Sequence, residues 1–410
     1  MKNLLIIGFI WPEPSSTAAG TRMLQLIAFF QKNNFKITFV STATKTEKSF
    51  DLKILQIETF KIELNNSNFE VLINKINPSI VMFDRYLTEE QFGWRVSENC
   101  PNALKILDTE DLHFLRTARQ AAYKNQTKVT NSLLINDVTK REIASIYRCD
   151  ISLIISKYEM NLLTKKFKIN KSILKYVPFL LDEIHLEKFN SFPNFENRSH
   201  FLSIGNFKHE PNWNAVLLLK NEIWPKIHKQ LPNVQLHIYG AYCSDKVFQL
   251  QNKKEGFLVK GWAENLQDVF INTKICLAPI QFGAGLKGKL INAMEFGTPS
   301  ITTSIGAESM NRNMPWNGSI CDDSENFANK AIELYENKEI WLESQRNGIE
   351  IINKCYSKIN FYNKLIRKIE KTKKNLKKHR EQNFIGSMLH YHTLKSTKYL
   401  SKWIEEKNKN

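Results

Sequence analysis

The feature that most constrains this chain is a repeated alternation of short, continuous apolar runs with stretches of helical spacing. Leu4–Phe9 is apolar throughout, as a strand covered on both faces must be, and Met23, Leu26, Ile27 and Phe30 then recur along one helix face. Further runs at Ile37–Val40, Ile54–Ile57, Ile80–Phe83, Leu104–Leu107 and Ile151–Ile155 predict strands separated by crossover helices, and so a mostly parallel sheet. Across 188–200 the pattern lapses into Asn, Phe, Pro and Ser, and at Phe201 it begins again. The second series predicts strands at Phe201–Ile204, Val234–Tyr239, Leu258–Val259, Ile275–Pro279, Ser300–Thr303 and Ile320–Cys321, with helices at Trp213–Gln230 and Lys289–Phe296. At roughly 150 residues per domain, 410 residues hold two such units. The expected organisation is an N-terminal domain over 1–187, a linker over 188–200, a second domain over 201–360 and a basic helical tail over 361–410 that packs back on the N-terminal domain. Two doubly wound α/β domains in tandem face a cleft, and ligands bind at the carboxyl ends of their strands.

Charge and cysteine content narrow the class. Lys and Arg number 58 against 41 Asp and Glu, a net charge of +17, but Asn, Lys and Ile are abundant throughout, so the balance does not demand a polyanionic partner and no nucleic acid is expected. Six scattered cysteines form no C-x-x-C pair or Cys/His cluster, which predicts a reduced protein without metal. Leu4–Trp11 is far shorter than the ~20 residues that span a bilayer. Its likeness to a signal peptide ends at Pro12 and Pro14, with a helix expected from near Thr21, so it reads as a buried first strand of a cytoplasmic protein. Between Lys364 and Arg380, nine basic residues face only Glu370. This basic helix is either a solvated face or a peripheral contact with anionic membrane.

The segment Gln281–Leu290 follows a buried strand and opens a helix. Gly283, Gly285 and Gly288 satisfy G-x-G-x-x-G, with Glu308 about twenty residues on, yet the dinucleotide fingerprint belongs on the first βα turn of its domain and at least three strands precede this loop. The same residues read as a Walker A loop in which Leu290 replaces the magnesium-binding Ser or Thr. What both patterns share survives their rejection. Glycines admit backbone N–H groups, the helix N-terminus adds positive potential and Lys287 or Lys289 adds a charge, which together make a diphosphate cradle. A merely tight strand-helix turn is the plain alternative.

The wider block from Phe282 to Glu308 resembles the donor site of family 4 (group 1) GT-B glycosyltransferases, whose architecture is two Rossmann-like domains facing a cleft. Supporting matches are Gly205–Asn212, Ile238–Gly240, Val259–Trp262 and, more loosely, Ser15–Arg22 with Gly20 in the first domain. The resemblance implies a donor site drawn from Gly20, Gly205, Asn206, Lys208, Gly240, Gly261, Gly283, Gly285, Lys287, Asn292 and Glu295. It also implies retention at the anomeric carbon and no metal or cofactor, with the nucleotide-diphosphate sugar as substrate. One departure is visible: two glutamates normally stand in this block, the second before Ala-Met, whereas here Ala284 and Asn292 occupy those places and Glu295 lies three residues on.

In the facing domain, Asp84-Arg85 and Asp108–His113 end successive strands and would open on the cleft. Asp84, Arg85, Asp108 and Asp111 are acceptor-side candidates, with helix capping the alternative for Asp108 and Asp111. Family resemblance favours a histidine near the donor sugar, making His113 a catalytic candidate beside Lys287, with a plain surface histidine the alternative. Arg116 and Arg119, expected on the following helix, are candidates for neutralising an acidic acceptor. The expected function is transfer of a sugar from a nucleotide-diphosphate sugar to a glycan or lipid-linked acceptor in cell-surface polysaccharide synthesis. The alternatives are a GT-B-shaped binding protein with weakened catalysis and a sugar-nucleotide epimerase.

Overall fold

The computed structural model describes residues 2–408, except for the side chains of 392–394. The first sheet contains β1 (Lys2–Gly8), β2 (Phe35–Ser41), β3 (Glu58–Lys61), β4 (Ile80–Asp84), β5 (Leu104–Asp108), β6 (Ile151–Ile154) and β7 (Leu174–Tyr176). Their order is β3-β2-β1-β4-β5-β6-β7, and every pairing is parallel. The second contains β8 (Ser199–Ile204), β9 (Leu236–Tyr239), β10 (Phe257–Gly261), β11 (Thr273–Ala278), β12 (Ser300–Thr302) and β13 (Gly318–Ile320) in the order β10-β9-β8-β11-β12-β13, again parallel. Each sheet is doubly wound, reversing direction between β1 and β4 and between β8 and β11, so its crevice opens at the carboxyl ends of those strands.

The continuous apolar run of β1 has a direct cause. Leu4 and Ile6 enter the core beneath one sheet face with Leu26, Phe29 and Phe30, while Leu5 and Ile7 enter the core on the other face with Phe83, Leu107 and Phe114. Where only one face is covered, the pattern misleads. Instead of the strand expected at Ile54–Ile57, a 3₁₀ turn spans Leu52–Leu55 and the edge strand β3 follows at Glu58–Lys61, three of whose four residues are exposed. The first helix, Ala18–Lys32, begins a turn before Thr21 because Thr17 caps it, its Oγ1 accepting from the Gly20 N–H at 3.0 Å. The helix expected from Trp213 starts at Glu210 and passes through a π turn at Leu219–Ile223. A short helix, Leu186–Asn190, occupies the start of the stretch read as linker.

After the second sheet the chain returns to the first. Leu181 N–H donates to Tyr356 O at 2.9 Å and Lys358 N–H to Leu181 O at 2.8 Å, so the outgoing and returning segments are stitched together. Helix Ile359–Lys374 then inserts Phe361, Leu365 and Ile369 into the core that holds Leu4 and Phe29. The basic stretch is not one solvated helix. It breaks at Asn375, and Arg380 on helix Leu376–Gln382 pairs with Asp150 at 2.8 Å and donates to Ala103 O at 2.7 Å, at the amino ends of β6 and β5. Helix Phe384–Lys407 finally crosses helices Arg85–Asn99 and Asp137–Arg148. Because Leu365 is 1% exposed inside the first-domain core, Leu365→Ala should lower stability in urea denaturation by about 2–5 kcal/mol. A tail resting on the surface would change it by less than about 0.5 kcal/mol.

Candidate active site

The carboxyl ends of the two sheets enclose a cavity of about 680 Å³. One wall is the glycine loop after β11. Helix Gly288–Glu295 begins there at Lys287, and no side chain caps its first turn, which leaves a helix N-terminus aimed into the cavity. Lys287 Nζ donates to Gly285 O at 3.0 Å, and Lys289 Nζ donates to Asn212 Oδ1 at 2.9 Å. Burial pulls both ammonium groups down to about 8. Two desolvated cations beside an uncapped helix end form a site that gains most when an anion arrives.

The loop is shaped by the opposite domain. Gly285 has φ +63, and a Cβ there would lie 2.8 Å from Asp111 Cβ; a Cβ on Gly288 would lie 2.5 Å from Ala18 Cβ. Only glycine lets the two domains approach this closely. Polar contacts also hold them. Gly285 N–H donates to Glu159 Oε1 at 2.9 Å, Arg119 forms a two-pronged pair with Glu308 at 2.6 and 2.9 Å while donating to Gly283 O at 2.8 Å, and Tyr242 Oη donates to Glu13 at 2.8 Å. Glu308, which made the dinucleotide pattern look complete, is thus a partner of Arg119.

Of the residues expected at the donor site, Gly205, Asn206, Lys208, Gly240, Gly283, Gly285, Lys287 and Asn292 line the cavity. Gly20, Gly261 and Glu295 do not. A Cβ on Gly20 would meet the Glu13 backbone at 2.5 Å, so this glycine seats the loop after β1. Gly261 O accepts from Gly240 N–H at 2.8 Å, and its neighbours Trp262 and Ala263 reach the cavity instead. Glu295 points toward Lys188 and Asp182, and burial raises its carboxyl.

On the acceptor side, Arg85, Asp111, His113 and Arg116 line the cavity. Asp111 accepts from Arg116 at 2.8 Å; burial alone would raise its carboxyl, but Arg116, His113 and Arg85 outweigh that and hold it low. His113 Nδ1 lies 3.4 Å from both Asp111 Oδ1 and Glu142 Oε1. Three expectations are corrected. Asp108 is fully buried and grips Arg22 through Nε and Nη2 at 3.0 and 2.7 Å. Asp84 is buried and accepts from Phe9 N–H at 2.9 Å. Arg119 is committed to Glu308.

Sequence reasoning missed Glu13, Tyr242 and Glu159, and it placed Glu110 at the cleft only as part of the strand-end cluster. Glu110 lines the cavity with φ +63, and its Oε1 is buried with no hydrogen-bond partner among the described residues. Burial, reinforced by Asp108, pushes its carboxyl well up. Its only sequence signal was its place in an acidic strand end. Among the described residues no group of three or more His, Cys, Asp or Glu side chains could hold a metal ion.

Glu159 gives the site a pH signature. Burial raises its carboxyl from 4.5 to about 7. Between those values the folded protein holds a proton that the unfolded chain releases, so stability falls as pH rises through this window. Glu159→Gln removes the titration. Denaturation midpoints at pH 5 and pH 8 should therefore show the wild type losing up to about 3 kcal/mol relative to the variant. Parallel pH dependence in both proteins would refute this.

Comparison with known proteins places this geometry. Residues 198–337 match the family model described as glycosyl transferases group 1. An uncharacterized 44.6 kDa protein in the cps region of Klebsiella pneumoniae is 25% identical over 307 residues, 70% of this chain and 73% of that protein. A sucrose-phosphate synthase from Thermosynechococcus elongatus superposes with a TM-score of 0.69 at 13% identity, over 90% of this chain and 99% of that one. A mutant of S. aureus TarM in complex with Fondaparinux, alpha-GlcNAc-glycerol and UDP gives 0.69 at 11% identity with the same coverage. The pneumococcal O-GlcNAc transferase GtfA in complex with UDP and GlcNAc gives 0.66 at 12% identity, over 90% and 99%. At such identities the structural likeness establishes the fold. Residues 198–337 thus form a glycosyl transferases group 1 domain within a chain of GT-B architecture.

Proposed function

We propose that this chain is a glycosyltransferase that moves a sugar from a nucleotide-diphosphate sugar to a glycan or lipid-linked acceptor in cell-surface polysaccharide synthesis, with retention at the anomeric carbon and without a metal. The observation that carries the donor class is the uncapped helix N-terminus with Lys287 and Lys289 desolvated beside it. Breaking the bond between the anomeric carbon and the diphosphate leaves positive charge on the sugar and new negative charge on the leaving group. Fixed cations and amides at the latter lower the barrier. UDP in the TarM and GtfA structures suits the same donor class. The cps relative supports a polysaccharide product. His113 and Glu110 stand across the cavity, where an acceptor hydroxyl would enter, and the basic tail suits a peripheral contact at the cytoplasmic face of an anionic membrane.

A second reading, a donor-binding protein with weakened turnover, is favoured by one observation: Asn292 faces the cavity where a carboxylate would bind ribose hydroxyls more strongly. Thermal-shift screening of nucleotide sugars identifies the donor under either reading, because any ligand of the folded state stabilises it. With that donor, Lys287→Ala should lower turnover by ~10²–10³ while leaving the melting temperature within a few degrees. Unchanged turnover would remove Lys287 from the reaction. Asn292→Glu should tighten donor binding and Asn292→Leu weaken it in calorimetry; equal affinities would mean that this position does not touch the nucleotide.

A further inference from the structure

The inner side of helix Phe384–Lys407 is committed to the first domain. Ser401 Oγ donates to Asn65 Oδ1 at 2.7 Å, the ring of His390 meets Arg148 O at 2.8 Å, and Lys398 pairs with Glu98. Its outer side is unlike a solvated surface. Phe384, Met388, Tyr391, Lys395 and Tyr399 follow at steps of four, three, four and four residues, and Ile385 and Trp403 flank that line. Phe384 is 70% exposed, Tyr399 63% and Trp403 61%. A row of exposed large apolar side chains on a folded surface, interrupted here by Lys395, marks an interaction site.

The chemistry around the stripe selects the partner. Lys395 Nζ stands 4.0 Å above the Tyr391 ring and Lys407 Nζ 5.4 Å from Trp403, while Lys374, Lys377 and Lys378 are exposed on the preceding turns. The occupant is therefore apolar and anionic together. A second copy of a chain of net charge +17 brings the wrong sign. Nucleic acid would use the aromatic rings, but Ile385 and Met388 offer nothing to a base, whereas both suit acyl chains. Among the described residues no helix is long and apolar enough to cross a membrane, so a contact with lipid would be along the surface.

We propose that the outward face of helix Phe384–Lys407 docks on an anionic lipid bilayer, with Phe384, Ile385, Met388, Tyr399 and Trp403 at headgroup depth and the surrounding lysines on lipid phosphates. The proposal deepens the membrane contact named above and rests on that reading of the partner. It is independent of the donor. Arg380 ties the adjoining helix to the amino ends of β5 and β6, the end of the sheet remote from the cavity, so docking leaves the cleft accessible from water.

The test is sedimentation of the full-length protein with vesicles of phosphatidylcholine alone and of phosphatidylcholine mixed with phosphatidylglycerol. Binding is expected to the anionic vesicles only. Phe384→Ser with Trp403→Ser should reduce the partition coefficient by about 100-fold, since each buried large apolar side chain contributes roughly tenfold or more. Lys377→Gln with Lys378→Gln should reduce it by about 25-fold, fivefold per lysine. Trp403→Phe should keep binding but lose part of the tryptophan quenching by brominated lipid, which reads insertion without deleting the stripe. Lys287→Ala should bind vesicles as the wild type does, separating failure of the surface from failure of the donor site. Absent binding, equal binding to neutral vesicles, or unchanged binding of a normally melting Phe384→Ser/Trp403→Ser protein would each overturn the proposal. So would displacement of vesicles by a single-stranded oligonucleotide, or a dimer in sedimentation that the double serine variant dissolves.

Discussion

Arg22 joins three parts of the chain from a position only 1% exposed: its own helix, the carboxyl end of β5 through Asp108, and the segment leaving the first domain through Val177 O at 2.8 Å and Pro178 O at 3.2 Å. A guanidinium in such surroundings is tolerated only because Asp108 and two carbonyls satisfy its donors, and loss of one partner would strand the other charge. The geometry of the cleft descends from this knot. It ties together the first helix, the carboxyl end of β5 and the segment that leads out to the second domain.

The cleft wall is a joint product of both domains. The glycine loop belongs to the second domain, yet its conformation depends on Glu159, Arg119 and Asp111 of the first. Lys287 lies in low dielectric beside Arg119, Glu159 and Asp111 of the first domain, so its charge is worth more to an anion there than on an open surface. For this lysine, electrostatics and domain approach are coupled.

Legibility in the sequence followed range. Buried strands such as β1 announced themselves because both faces are covered, and the glycine loop because glycines, lysines and helix start lie within ten residues of one another. Edge strands β3 and β7 were silent, since strands with little burial carry no apolar run. The residues of the cleft wall that went unseen depend on distant partners: Glu159 meets Gly285 across 126 positions and Glu13 meets Tyr242 across 229. Asp108 misled for the same reason. A carboxylate at a strand end reads as a ligand until Arg22, 86 positions earlier, is seen to claim it. Glu295 misled differently, because three residues on a helix keep a side chain near the same face without aiming it into the same space.

The stitched crossing at Leu181 and Tyr356–Lys358 has a mechanical consequence. Two domains on a single tether can twist about it freely, but here two parallel strands of backbone bridge the gap side by side. A paired bridge resists torsion and yields to bending, so the relative motion open to the domains is closer to that of a door on its jamb than of a ball on a string. The arrangement also makes the first domain discontinuous in sequence: a fragment ending near residue 190 would leave behind Phe361, Leu365 and Ile369, and with them part of its own core.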